Sequence, residues 1–314
     1  MELIARESSG GRFVDPYVTA DGAERASVAL TGLRTLWFNT GTLCNLTCAN
    51  CYIESSPNND RLAYLSRADV RGYLEEIEAL GLPVTEIGIT GGEPFMNPEI
   101  LDILRDCLEA GLQVLVLTNA MRPMLKCAGG LLALQREFGA RLTLRVSVDH
   151  PDRARHEEER GGRSWTPMVK GLKWLSDNGF RVHVAGRTRW GEDEPALRAG
   201  FARLFASLGV AVDASDPAAL VLFPEMDERV EVPEITTACW GILDVNPADM
   251  MCASARMVVR RRGSLEPDVV ACTLLPYAPG FSYGPRLADS LGPVALNHPH
   301  CAKFCVLGGG SCSA

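Results

Sequence analysis

Short apolar runs and helical periodicities alternate about six times between residues 34 and 223. Segments 34–40, 84–89, 112–117, 142–148, 180–185 and 220–223 read as strands. Segment 112–117 is almost wholly apolar, as expected of a strand covered on both faces of a parallel sheet. Between the strands, Ser66 and Asp69 form a capping pair ahead of Val70, Tyr73, Leu74, Ile77 and Leu80 at helical spacing. Asn97 and Pro98 read as the cap and first residue of a helix closed by Gly111. Further helices are expected from about 121 to 138, weakened by Gly129 and Gly130, from Ser164 to near Gly179, and from Asp193 to about Leu208. Such alternation predicts βα units, a parallel sheet, and a site at the C-terminal ends of its strands. Six units are too few to close an eight-fold barrel.

The loop after the first strand carries Cys44, Cys48 and Cys51 as C-x3-C-x2-C, with Tyr52 next. Three thiolates on one loop can wrap a metal centre, yet they leave a four-thiolate set incomplete. The missing position is open to a ligand that is not protein. A zinc knuckle needs a fourth Cys or His nearby, and none lies between Cys51 and Cys107. A disulfide would leave one of the three thiols over. Gly91-Gly92-Glu93-Pro94 follows the second strand. Its glycines let backbone approach a ligand closely, Glu93 offers an acceptor to an ammonium group, and Pro94 stiffens the turn. Taken alone, that motif is only a tight turn.

Together the two motifs resemble the radical SAM superfamily. The resemblance implies a partial (β/α)6 barrel at residues 34–215, an N-terminal extension at 1–33 and a small cysteine-rich module at 216–314. It implies that Cys44, Cys48 and Cys51 hold a 4Fe–4S cluster whose fourth iron binds S-adenosylmethionine (SAM). Reductive cleavage then gives a 5′-deoxyadenosyl radical that takes a hydrogen atom from the substrate. By the same resemblance Tyr52, Gly91, Gly92, Glu93 and Pro94 flank SAM, and the last four meet its amino end. Thr118 and Asn119 line the mouth of the site. Ser147 and Asp149 suit the ribose hydroxyls, with a helix cap or turn as the plainer reading. The run 156–161 resembles a SAM-holding segment in which Arg160 pairs with the carboxylate, against a solvated charge run as the alternative. Arg187, after the fifth strand, is a second candidate of that kind.

From about Asp216 the texture changes: helical periodicity fades and six of the eleven cysteines appear. Cys252, a polar turn at Arg262-Gly263, and Cys272 resemble the opening of SPASM and twitch modules, with a β-hairpin between the two cysteines. Cys301 and Cys305 then complete the ligands of one auxiliary 4Fe–4S cluster, with Cys239 and Cys312 as alternative ligands or free thiols. Zinc held by four thiolates is the competing reading, with His298 and His300 beside Cys301. Cys107 and Cys127 fall in helical segments and read as core residues.

A net charge of −8 gives no basic face for nucleic acid. No apolar run reaches membrane-spanning length, and the first residues lack a secretory h-region. Eleven cysteines without such a signal point to metal ligands in the cytoplasm. The leading expectation is an enzyme acting on a small organic metabolite, because only about 33 residues precede the first strand. A peptide-modifying maturase is the alternative, and a flavodoxin- or ferredoxin-type donor would supply electrons. A non-catalytic iron–sulfur carrier or sensor is the reading from another class, and such a carrier has no use for the Gly91–Gly92 turn.

Overall fold

The structure, a computed structural model, describes residues 11–225 and 230–312. Strand β1 (Ser27–Val28) precedes β2 (Thr35–Asn39). Helix α1 (Arg67–Ala79) leads to β3 (Glu86–Thr90), and α2 (Ile100–Glu109) leads to β4 (Gln113–Thr118). Helices α3 (Arg122–Lys126) and α4 (Ala128–Phe138) precede β5 (Leu142–Asp149). Then come α5 (Arg153–Arg160), α6 (Trp165–Asp177), β6 (Arg181–Arg187), α7 (Glu194–Leu208) and β7 (Leu220–Phe223). Helix α8 (Cys239–Leu243) and strands β8 (Ala255–Val259), β9 (Asp268–Val270) and β10 (Val294–Ala295) complete the order.

The main sheet runs β7-β6-β5-β4-β3-β2-β8-β9. Every neighbouring pair is parallel except β8 and β9. Strands β2 to β7 form a partial (β/α)6 barrel that stays open. Side chains alternate between its faces. Leu36, Phe38, Ile87, Ile89, Val114, Val116, Leu144 and Val146 share one core with the helices. Trp37, Leu115 and Met257 belong to a second core with Leu274, Phe304 and Val306 from the C-terminal segment. Each such aliphatic side chain removed from water contributes about 1.5–3 kcal/mol. Trp37 fits because β3 carries Gly88 beside it: a Cβ there would lie 2.3 Å from the indole.

Local sequence explains the helices. Ser66 and Asp69 close a reciprocal capping box on α1, which buries Val70, Tyr73 and Ile77. Asp193 caps α7 by accepting from the Ala196 amide at 2.7 Å. Cys107 is fully buried in the helix-side core and Cys127 packs against it, as expected of core thiols.

Four features differ from the sequence reading. Asn97 does not cap α2, which starts at Ile100. A 3₁₀ turn at Pro94–Met96 intervenes, and the Asn97 side chain instead ties the loop to the Leu65 carbonyl at 2.8 Å. The helix expected over 121–138 breaks at Cys127, next to two glycines. Gly130 there leaves room for Leu101, which would sit 2.4 Å from a Cβ. The charge run at 156–160 belongs to helix α5, capped by Asp152. Residues 11–33 dock on the C-terminal part: β1 pairs antiparallel with β10, and Arg25 forms a buried ion pair with Glu234. The expected hairpin between Cys252 and Cys272 is present as β8 and β9, and β8 also continues the main sheet in parallel with β2. No helix among the described residues is long and apolar enough to cross a membrane.

Helix α6 crosses the end of β4 at Gly171, where a Cβ would lie 1.6 Å from the Ala120 carbonyl oxygen. In an ordinary helix interior, glycine to alanine gains up to about 1 kcal/mol. Here Gly171→Ala is expected to destabilise the fold by about 1–3 kcal/mol, because backbone has to move. Urea unfolding of the two proteins checks this; a stabilised variant would contradict the packing.

Candidate active site

The C-terminal ends of β2 to β7 surround an open cavity. The loop after β2 contributes Cys44, Cys48, Cys51 and Tyr52, and the turn after β3 contributes Gly91 and Gly92. Asn119 follows β4, Ser147 and Asp149 end β5, Arg160 ends α5, and Arg187 ends β6. The far wall is Phe223 of β7 with Leu274, Phe304 and Cys312 from the C-terminal part. The structure thus gathers residues that the sequence spreads from 44 to 312. Glu93 and Pro94 are buried next to this cavity but do not line it.

The Gly-Gly turn lies flat on the cysteine loop. Gly91 has a φ of +140°, and a Cβ on it would lie 2.5 Å from the Gly41 oxygen. A Cβ on Gly92 would lie 2.3 Å from the Leu43 oxygen. The Gly92 amide donates to Gly41 O at 2.8 Å, and the Glu93 amide donates to Leu43 O at 3.1 Å. Only glycine permits this contact, so one requirement for the motif is loop-to-loop packing.

The Glu93 carboxylate turns inward. It accepts from Thr118 Oγ1 at 2.8 Å, from the Asn119 amide at 2.9 Å and from the Phe95 amide at 3.3 Å. Burial pushes its pKa up to about 7, with those three hydrogen bonds opposing. Its acceptors are spent on the end of β4, which aims Asn119 at the cysteine loop. Asn119 Nδ2 donates to Asn45 Oδ1 at 3.0 Å and lies 3.9 Å from Cys44 Sγ.

The Asp149, Arg160 and Arg187 side chains engage one another. Asp149 adopts a left-handed φ of 60° at the end of β5. Both of its oxygens meet Arg160, and Arg187 Nε donates to Oδ1 at 3.2 Å. Burial alone would raise the Asp149 pKa, but the Arg160 charge, then that of Arg187, holds it below the usual carboxylate value. Arg187 also lies 3.8 Å from the buried Glu159 carboxylate, so both guanidiniums are held by acidic partners at the cavity wall.

Glu159 is the residue that sequence reading missed. It looked like one member of a charge run, yet it is fully buried. Its carboxylate accepts from the Asn50 amide at 3.1 Å and from Asn50 Nδ2 at 2.8 Å. Its carbonyl accepts from the Ala49 amide at 2.8 Å. Arg189 balances the charge at 2.7 Å. The segment between Cys48 and Cys51 therefore hangs on the last turn of α5.

All eleven cysteines are free thiols. Burial pushes Cys44 up to about 12 and also raises Cys48. Among the described residues no three His, Cys, Asp or Glu side chains converge on a single-ion site. In the C-terminal part, Cys252, Cys272, Cys301 and Cys312 are each 9 % exposed or less. Burial raises Cys305 well above its ordinary value, with Cys272, Cys301, Cys252 and Cys312 all close enough to add to the effect. Five thiols thus form one neighbourhood, and Cys312 belongs to it. Cys239 is placed otherwise, with its sulfur 3.4 Å from the Thr236 amide.

Residues 38–188 match the family model described as Radical SAM superfamily. This segment is a radical SAM domain. Among curated proteins, the antilisterial bacteriocin subtilosin biosynthesis protein AlbA of Bacillus subtilis is 32% identical over 143 residues, which is 45% of this chain and 30% of AlbA. An AdoMet-dependent heme synthase of Methanosarcina barkeri is 29% identical over 38% of this chain and 32% of its own length. The chain therefore matches about a third of the length of these relatives. Streptococcus suis SuiB bound to S-adenosylmethionine has a TM-score of 0.58 at 13% identity, covering 82% of this chain and 64% of SuiB. The anSMEcpe structure with bound AdoMet gives 0.57 at 12% identity, covering 82% of this chain and 77% of that one. Those two likenesses establish the fold.

A radical SAM domain holds a 4Fe–4S cluster and binds SAM, and the residues present fit both. Three free thiols from one loop share a cavity with a glycine cradle and the Arg160 and Arg187 side chains. Burial of Cys44 and Cys48 disfavours their thiolate forms, and a metal centre supplies the cation that offsets this.

Glu159→Gln keeps the shape of the buried side chain but removes its charge and one acceptor. Hydrogen bonds to charged groups contribute about 1.5–3 kcal/mol. Amide exchange at Asn50 in the metal-free protein is therefore expected to quicken at least about tenfold. Exchange as slow as in the parent protein would show that the loop does not depend on Glu159.

Proposed function

We propose that this chain is a radical SAM enzyme that removes a hydrogen atom from a peptide substrate and carries one auxiliary iron–sulfur centre. The observation that carries the reading is the convergence of Cys44, Cys48 and Cys51 with Gly91, Gly92, Asn119, Ser147, Arg160 and Arg187 on one cavity. The three thiols would hold the cluster. When bound, cluster and SAM together supply the electron and the radical chemistry that breaks a substrate C–H bond. The chain's own residues orient and shield. The Gly91–Gly92 backbone offers a close approach for the amino end of SAM, Ser147 is placed for a hydroxyl, and Arg160 or Arg187 for a carboxylate. Phe223, Leu274 and Phe304 close the far wall with apolar surface, which keeps water from a reactive radical.

Two similar proteins support the substrate class: AlbA takes part in bacteriocin biosynthesis, and SuiB has been solved with its precursor peptide SuiA. This displaces the small metabolite expected first from the sequence. The AdoMet-dependent heme synthases favour a small organic substrate as the second reading. A flavodoxin- or ferredoxin-type protein remains the proposed electron source. The auxiliary centre is proposed at the C-terminal thiols, with Cys252, Cys272, Cys301 and Cys305 as ligands and Cys312 as the alternative within reach.

Cys44→Ala is expected to abolish formation of 5′-deoxyadenosine from SAM under reducing conditions, while C-terminal iron stays bound. Cys272→Ala is expected to lose the auxiliary centre and keep SAM cleavage, with product formation reduced. Chromatography of the nucleoside products together with iron analysis reads both variants. Nucleoside formation by Cys44→Ala would contradict the reading.

A further inference from the structure

Two arginines are buried beside the C-terminal thiols without an acidic partner. Arg145 of β5 is 1% exposed, and Arg256 of β8 is 0% exposed. Arg145 Nη1 donates to the Cys312 carbonyl at 2.8 Å, and Arg145 Nε is buried with no hydrogen-bond partner. Arg256 Nη1 donates to the Cys252 carbonyl at 2.6 Å and to the Ala255 carbonyl at 2.7 Å. Its Nε and Nη2 donate to Ser290 O at 2.8 Å and to Gly292 O at 2.9 Å. Ion pairs among the described residues occupy other buried arginines, such as Arg25 and Arg160, and leave these two out. Glu86 of β3 interacts with Arg145 only from beyond ion-pair distance.

A buried cation without a counter-charge costs several kcal/mol. Two of them on the backbone of one cysteine group make physical sense if that group carries negative charge. Four thiolates around an iron–sulfur centre are anionic, and the reduced centre carries one more negative charge than the oxidised one. Nearby positive charge and hydrogen bonding favour the reduced form and raise the reduction potential. Neither arginine lines the cavity of the radical SAM domain: Arg145 meets it only through Cys312, and Arg256 lies beside Cys252 and Cys272.

We propose that Arg145 and Arg256 are positioning residues of the auxiliary centre: they fix the main chain at Cys312 and Cys252 and bias the centre toward its reduced state. The inference rests on the auxiliary centre proposed above and deepens it, because a centre biased in this way is suited to accept an electron.

The test uses the full chain, reconstituted anaerobically, with Cys44→Ala, Cys48→Ala and Cys51→Ala so that only the C-terminal centre reports. Redox titration followed by EPR gives its midpoint. Arg145→Gln is expected to lower the reduction equilibrium constant at least about tenfold, or 59 mV for one electron, and Arg145→Lys to restore most of it. Arg256→Gln, expected to shift the same way, is the second variant if Arg145→Gln fails to fold. Unchanged midpoints at unchanged iron content overturn the role of the arginines and leave the centre standing. A triple variant without an iron–sulfur signal overturns the auxiliary centre itself.

Discussion

The Gly91–Gly92 turn rests directly on the backbone of the cysteine loop, and the rest of the site follows from that contact. Two backbone hydrogen bonds, at 2.8 and 3.1 Å, join the loops after β2 and β3. The contact is too close for any side chain on either glycine. It brings Glu93 under the end of β4, where its carboxylate orders Thr118 and Asn119, and Asn119 in turn reaches Asn45 and Cys44. From the other side, Glu159 holds the main chain at Ala49 and Asn50. Three thiols that belong to an irregular loop are thereby held on a rigid frame.

Much of this was legible in the sequence because it is written in local patterns. Strand β7 falls where its apolar run places it, and the Ser66–Asp69 capping pair is present as a reciprocal box. The cysteine triplet and the Gly-Gly turn meet because both follow neighbouring parallel strands, a consequence of βα alternation. What stayed hidden depends on distant partners. Glu159 is indistinguishable from Glu157 and Glu158 until Asn50 and Arg189 are brought to it. The pairing of β1 with β10 joins residues about 270 positions apart through strands of two residues each, too short to leave a period. Glu93 reads as a ligand-facing acceptor until the fold supplies Thr118 and Asn119 to use its oxygens.

The mutual engagement of Asp149, Arg160 and Arg187 changes how those residues act. The sequence offers Asp149 for the ribose of SAM and Arg160 or Arg187 for its carboxylate. In the fold they are a charge-paired set with one carboxylate between two guanidiniums, and Glu159 stands behind Arg187. The C-terminal part completes the same cavity through Leu274, Phe304 and Cys312, and a buried arginine on β5 reaches the Cys312 carbonyl. Cys312 is thus the one C-terminal thiol that lines the cavity holding Cys44, Cys48 and Cys51 among the described residues.

The central claim is that two distinct thiol groups each bind an iron–sulfur centre and that SAM reaches only the first. Iron and sulfide analysis with EPR of the anaerobically reconstituted chain, with and without SAM, tests it most directly. The account predicts about eight irons per chain and a reduced signal of which one component changes when SAM is added. About four irons with zinc in the C-terminal group, or a signal indifferent to SAM, would contradict it.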